Sequence, residues 1–159
     1  MILVLTGTNP YSFERLITPM DTWAADTGSE VFIQLGNTKL EPTNCRYARF
    51  LTRDKLIDLI DKSEFIVSQG GFGSLRDCIK ANKKIIAVPR YKEQGECLDD
   101  QEQVVRALEK QGLVIAVYDI ADLNTALSKI KNWHNKAPEE SKIADIINGY
   151  LDKLSVRKQ

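Results

Sequence analysis

Six short apolar runs recur along the chain: Ile2–Leu5, Val31–Leu35, Tyr47–Leu51, Glu64–Ser68, Lys84–Val88 and Leu113–Val117. They are rich in β-branched residues and bounded by Gly, Pro or Asn, a setting that predicts strands covered on both faces, as in a parallel sheet. Between them the apolar spacing changes to three and four residues. Phe13, Leu16, Ile17, Met20 and Trp23 predict one helix, and Leu56, Ile57, Leu59 and Ile60 predict a second with Thr52 as its N-cap. Similar stripes run through Ser74–Ala81, Gln101–Lys110 and Ala121–Trp133. Strand-helix alternation of this kind implies right-handed crossovers and an α/β, doubly wound parallel sheet. Residues 1–133 read as one domain, without repeats or low-complexity tracts. Asn132–Glu140 is a candidate hinge, and residues 134–159 as a whole read as hinge and final helix. On that helix Ile143, Ile146, Ile147, Tyr150, Leu151 and Leu154 form one apolar stripe, which either closes onto its own sheet or reaches a second subunit.

Composition narrows the chemistry. The 159 residues carry 22 Lys+Arg and 22 Asp+Glu, a net charge of zero. Nucleic-acid affinity comes largely from clustered Lys and Arg, so no nucleic-acid partner is expected. Three cysteines at wide spacing, Cys45, Cys78 and Cys97, and a single histidine, His134, make a Cys/His zinc site or a disulfide framework a poor fit; neither a metal nor a cofactor is expected. The first five residues are too short for a signal peptide and lack a basic flank. No run approaches the ~20 apolar residues that span a bilayer, which points to a cytoplasmic chain held at any membrane by another protein.

Ligands of open parallel sheets bind beyond the carboxyl ends of the strands. After the first strand lies Thr6-Gly7-Thr8-Asn9-Pro10, and after the fourth Ser68-Gln69-Gly70-Gly71-Phe72-Gly73-Ser74. In the second loop three glycines allow close backbone approach and Ser74 falls at a predicted helix start, so free N–H groups would face an anion such as a diphosphate; tight turns use glycines too. Neither GxGxxG nor GxxxxGK[ST] follows the first strand, which argues against nicotinamide dehydrogenases and nucleotide triphosphatases. Asp77, one turn further on, either accepts ribose hydroxyls or complements the helix dipole. The polar stretch Pro89–Gln103 either reads sugar hydroxyls or is a surface loop with Asp99 and Asp100 as helix caps.

The order of these motifs resembles the C-terminal domain of glycosyltransferase family 28, in particular the small soluble subunits of bipartite exopolysaccharide and dolichol-linked glycosyltransferases. The likeness covers roughly residues 1–130. Gly7-Thr8 with Phe13-Glu14-Arg15-Leu16 resembles the family's G-T-x-x-x-x-F-x-R-L, and Gln34-x-Gly36 its Q-x-G turn. Phe50-Leu51 is similar to the segment whose backbone holds uracil. Gly70-Gly71-Phe72-Gly73-Ser74-Leu75-Arg76-Asp77 resembles G-G-x-G-S-x-x-E, and Val88-Pro89-Arg90 with Gly95-Glu96 resembles V-P-R and G-E-H of the sugar-proximal loop. Two family histidines are replaced, by Gln69 and Cys97. The D-H-Q pattern maps onto Asp99-Asp100-Gln101 with one residue deleted; without a gap its glutamine falls on Glu102, and a broader pattern selects Gln103.

The resemblance implies one donor-binding, Rossmann-like half of a GT-B architecture. It implies a UDP-sugar donor held by Gly7, Thr8, Phe50, Leu51, Gly70, Gly71, Gly73, Ser74, Asp77, Arg90, Glu96, Asp100 and Gln101. It further implies a membrane-associated partner subunit that binds a lipid-linked acceptor and supplies the base, leaving this protein peripheral at the inner face of the membrane. Replacement of both histidines motivates an alternative, a non-catalytic enhancer or scaffold for a partner glycosyltransferase. An unrelated small flavodoxin-like domain is a third reading, although the first-strand loop lacks the Ser/Thr-rich cradle expected there.

Overall fold

In the computed structural model, which describes residues 1–136, strands β1 (Ile2–Leu5), β2 (Val31–Gln34), β3 (Arg46–Ala48), β4 (Phe65–Gln69), β5 (Lys84–Val88) and β6 (Ile115–Ala116) build one sheet. Helices α1 (Glu14–Thr27), α2 (Arg53–Lys62), α3 (Phe72–Lys80), α4 (Glu102–Lys110) and α5 (Leu123–Ile130) connect them. All neighbouring strands are parallel, in the order β3-β2-β1-β4-β5-β6. The doubly wound sheet expected from the apolar runs is therefore present, and its order reverses between β1 and β4. That reversal is where such sheets open a crevice at their carboxyl ends. Leu5 pairs with Ser68, so the loops after β1 and β4 begin side by side.

Both faces of β1, β2, β4 and β5 are covered, which explains strands without a polar side; the edge strand β3 is exposed at Arg46 and Tyr47. Successive residues alternate: Ile2, Val4, Phe65, Val67, Ile86 and Val88 join the core under α1 and α5. Leu3, Leu5, Ile66, Ile85 and Ala87 join the core under α2, α3 and α4. Burying a side chain of this size contributes roughly 1.5–3 kcal/mol, so the strand ends that carry the loops are firmly anchored.

Some boundaries differ from the sequence pattern. β3 stops at Ala48 because the chain turns there toward Thr52, whose Oγ1 accepts from the Lys55 amide at the start of α2 (3.4 Å). β6 is shorter than Leu113–Val117 because the Leu113 amide is spent on closing α4, donating to the Leu108 carbonyl at 3.1 Å. α3 starts at Phe72, two residues before Ser74. The described part of the candidate hinge is fastened down: Trp133 packs on the core, Asn135 Nδ2 donates to Asn82 Oδ1 (2.9 Å) and the Lys136 amide donates to the Gly112 carbonyl (3.1 Å). Asn82 and Gly112 precede β5 and β6, so this segment, with exposed His134, lies at the amino edge of the sheet, opposite the crevice. The remainder of the hinge and the Ile143–Leu154 stripe lie outside the described residues. Among the described residues no helix is long and apolar enough to cross a membrane.

Candidate functional site

A cleft of about 370 Å³ opens at the carboxyl end of β1 and β4. Its first wall is the β1 loop. Gly7 has φ +79°, a backbone conformation that glycine adopts without strain. The Gln34 carboxamide takes both backbone groups of Gly7: Oε1 accepts from its amide (2.8 Å) and Nε2 donates to its carbonyl (2.9 Å). The same Nε2 donates to the Arg49 carbonyl at 3.0 Å, so the glutamine of the Q-x-G pattern ties together the loops after β1, β2 and β3. A Cβ on Gly7 would stand 1.8 Å from Gln69 Nε2, which shows how closely the first loop lies against the end of β4.

The second wall is the start of α3. Gly71 occupies the N-cap and offers no side chain to the helix, and the first bond runs from the Leu75 amide to the Gly71 carbonyl (3.2 Å). Among the described residues no carbonyl or capping side chain takes the amides of Phe72, Gly73 and Ser74. Free amides and the positive end of the helix dipole make an anion seat. The glycines here have different reasons. A Cβ on Gly70 would meet Gln101 Cβ and Val105 Cγ2, each at 2.8 Å, so Gly70 permits α4 to pack closely. A Cβ on Gly73 would meet nothing within 4 Å. Glycine inside a helix costs about 1 kcal/mol against alanine, and protein packing does not demand it at Gly73; the open space lies over the free amides.

Asp77 forms the floor, with a side chain 6 % exposed. Arg53, the first residue of α2, holds both of its oxygens: Nη1 donates to Oδ2, and Nη2 donates to Oδ1 at 3.0 Å. Arg76 Nη2 adds a longer contact to Oδ1 at 3.5 Å. The hydrogen bond from Arg53, helped by the two guanidinium charges, pulls the Asp77 carboxyl below its ordinary range against the opposing effect of burial. A depressed carboxylate pKa stabilises the folded chain at neutral pH, and that contribution disappears only as the pH falls through the lowered value.

Seven of the expected residues line this cleft: Gly7, Thr8, Leu51, Gly71, Gly73, Ser74 and Asp77. Phe50, beside Leu51, is 56 % exposed. Arg90, Glu96, Asp100 and Gln101 are brought together elsewhere. Arg90 is completely buried, and every nitrogen of its guanidinium is engaged by the protein. Nε donates to Gln69 Oε1 (2.8 Å), Nη2 to the Thr6 carbonyl (2.8 Å), and Nη1 to the carbonyls of Tyr11, Ser12 and Glu96 (3.0–3.1 Å). Its Cζ lies over the Phe13 ring, 4.3 Å from the centroid. Burial draws the Arg90 pKa down to about 10, against the opposing pull of Glu96, which still leaves it charged at neutral pH. Glu96 in turn receives Arg15 Nε and Nη2, both at 2.9 Å, and the Tyr91 amide at 3.1 Å. The F-x-R-L, V-P-R and G-E segments thus form one buried clasp that fixes the loops after β1, β4 and β5, and it holds Arg90 and Glu96, which the resemblance placed among the donor-binding residues.

Gln101 belongs to the same clasp: Oε1 accepts from the Arg90 amide (3.2 Å) and Nε2 donates to Gln69 Oε1 (3.1 Å). Asp100 accepts from the Lys92 amide at 2.6 Å, which secures the turn at Lys92–Gln94 rather than the start of α4. Cys97, in the family's histidine position, is buried, and that burial raises its thiol pKa.

Sequence reasoning did not single out Arg53, Arg76 or Leu56, which line the cleft, or the clamping role of Gln34. Gln34 and Arg76 stood inside quoted motifs; Arg53 follows the predicted N-cap and carried no signal of its own. The lining offers free amides, two guanidinium groups, carboxamides and one buried carboxylate beside the apolar Leu51, Leu56 and Phe72. This is equipment for recognising an anion joined to a polyhydroxylated, partly apolar body. Among the described residues no group of three or more His, Cys, Asp or Glu is placed to hold a metal.

Comparison with protein families matches residues 1–152 to the model described as the glycosyltransferase family 28 C-terminal domain. A comparison with curated protein sequences finds no match. Among solved structures, the glycotransferase of kitacinnamycin is similar, with TM-score 0.60 and 14 % identity over 98 % of this chain and 39 % of that one. The glycosyltransferase SnogD from Streptomyces nogalater gives TM-score 0.52 and 18 % identity over 81 % of this chain and 34 % of its own. The Methanocaldococcus jannaschii UDP-GlcNAc 2-epimerase, solved with UDP-GlcNAc and UDP, gives TM-score 0.60 and 12 % identity over 92 % of this chain and 44 % of its own. At these identities the likeness is one of fold, and the chain spans less than half the length of each.

Proposed function

The chain belongs to the glycosyltransferase family 28 C-terminal domain family, and from that premise we propose that its cleft holds a UDP-sugar as donor for transfer to a lipid-linked acceptor. The observation that carries this reading is the meeting, at the switch point, of the Gly7 loop, the free amides of Phe72, Gly73 and Ser74, and Asp77. The amides receive the diphosphate and stabilise the charge that develops on it as the sugar leaves. Asp77 accepts the ribose hydroxyls, and the backbone at Phe50-Leu51 reads the uracil. The similar fold of an epimerase solved with UDP-GlcNAc and UDP supports a uridine diphosphate in a fold of this kind.

The clasp made by Arg90, Glu96 and Gln101 positions the loops around the donor and does not contact the reacting atoms. No cleft-lining side chain among the described residues is an unpaired carboxylate or a histidine, so in this reading the acceptor's proton is removed by a group on a membrane-associated partner subunit. That partner also brings the lipid-linked acceptor and keeps this protein peripheral at the membrane's inner face.

Calorimetric titration tests the reading. UDP and at least one UDP-sugar are expected to bind, and Asp77→Ala is expected to weaken UDP by about 1–3 kcal/mol, the cost of losing buried hydrogen bonds to a charged acceptor. Failure of every UDP-sugar to bind, with the partner subunit present or absent, would overturn the assignment. A variant that abolishes donor binding yet still fully enhances its partner would instead support the scaffold reading.

A further inference from the structure

The ion pair on the cleft floor is lopsided. Asp77 is 6 % exposed at its side chain, whereas Arg53 is 59 % exposed. Arg53 grips the carboxylate by two points, one nitrogen to each oxygen. A ribose cis-diol engages a carboxylate by the same two-point geometry, each hydroxyl donating to one oxygen. The two donors therefore compete for the same face of Asp77. Arg53 is the movable member of the pair: its guanidinium is largely in solvent, and a diol that takes its place returns two hydrogen bonds to Asp77. Arg76 Nη2, 3.5 Å from Oδ1 in the same structure, supplies a second positive charge beside the carboxylate. Arg53 lines the same cleft as Gly71, Gly73 and Ser74, so a released guanidinium remains next to the anion seat.

We propose that Arg53 is a two-position residue that guards Asp77: it lies on the carboxylate until a ribose diol takes its place, and it then turns onto the diphosphate of the same ligand. The proposal rests on the ribose and diphosphate assignments above. It makes the site selective by charge. An uncharged riboside must displace Arg53 and gives it no new partner, whereas a nucleoside diphosphate displaces it and supplies one.

The test is the sign of the change in Arg53→Ala, measured by ligand-observed nuclear magnetic resonance with uridine, 2′,3′-dideoxyuridine and UDP. Uridine is expected to bind about three- to tenfold more tightly to the variant, because Asp77 is freed. Dideoxyuridine, lacking the diol, should show no such gain. UDP is expected to bind about tenfold more weakly, because its guanidinium partner is gone. Changes of the same sign for uridine and UDP overturn the proposal, as does a gain for dideoxyuridine equal to that for uridine, or uridine binding undetectable in both proteins. Arg53→Gln repeats the comparison with a longer, uncharged side chain. Failure of the unmodified protein to bind UDP would instead overturn the site assignment itself, so the two failures are distinct.

Discussion

Arg90→Ala is expected to lose about 3–5 kcal/mol of folding stability, because a fully buried side chain is deleted and several buried acceptors lose their donor at about 1–3 kcal/mol each. The guanidinium holds five oxygens from four parts of the chain: the carbonyls of Thr6, Tyr11, Ser12 and Glu96, and Gln69 Oε1. Its removal leaves these acceptors in a cavity, and each buried unsatisfied group costs about 1–3 kcal/mol unless water reaches it. Domains of ordinary stability hold about 5–15 kcal/mol, so the variant should melt about 6–20 °C lower or fail to fold at 37 °C. Arg90→Lys should recover little, since an ammonium cannot reproduce a planar fork with donors on three nitrogens. The contrast is Arg46→Ala. Its ion pair with Glu30 is exposed on both sides, and removing it should change stability by less than about 1 kcal/mol. Thermal and denaturant unfolding of the three variants checks this, and a small effect at Arg90 would mean that the clasp is not structural.

Gly7→Ala is expected to destabilise the fold by about 3 kcal/mol or more and to disturb the cleft at the same time. At φ +79° a side chain is strained by roughly 1–2 kcal/mol. The new methyl would also stand 1.8 Å from Gln69 Nε2. Gln69 cannot simply turn aside, because its Oε1 accepts from Arg90 Nε (2.8 Å) and Gln101 Nε2 (3.1 Å). Moving it breaks a bond to a buried charge, worth about 1.5–3 kcal/mol. The expected result is a lower melting temperature together with weakened UDP binding. An alanine variant of unchanged stability would show that the β1 and β4 loops are not pressed together as described.

The strands were legible in the sequence because a parallel sheet buried on both faces leaves continuous apolar runs, as at Ile2–Leu5 and Lys84–Val88. The loops were legible because glycines mark them. What the pattern could not give was the order of strands, which places the Gly7 loop between the loop after β2 and Gly70–Ser74. Nor could it assign roles within a motif. Arg90 and Glu96 were marked as belonging to a sugar loop, but whether an arginine points into a cleft or back into the core depends on the carbonyls around it, which the fold alone brings together. Arg53 shows the opposite failure, a residue in no motif that the turn after β3 sets against Asp77.

A nucleoside diphosphate in the cleft at the switch point would sit on the start of α3. Titration of UDP into the ¹⁵N-labelled protein, followed by amide chemical shifts, tests it most directly. The largest, saturable shifts are expected at Phe72, Gly73 and Ser74, with smaller ones at Gly7 and Leu51. Shifts confined to other surfaces, or none at millimolar UDP, would contradict it.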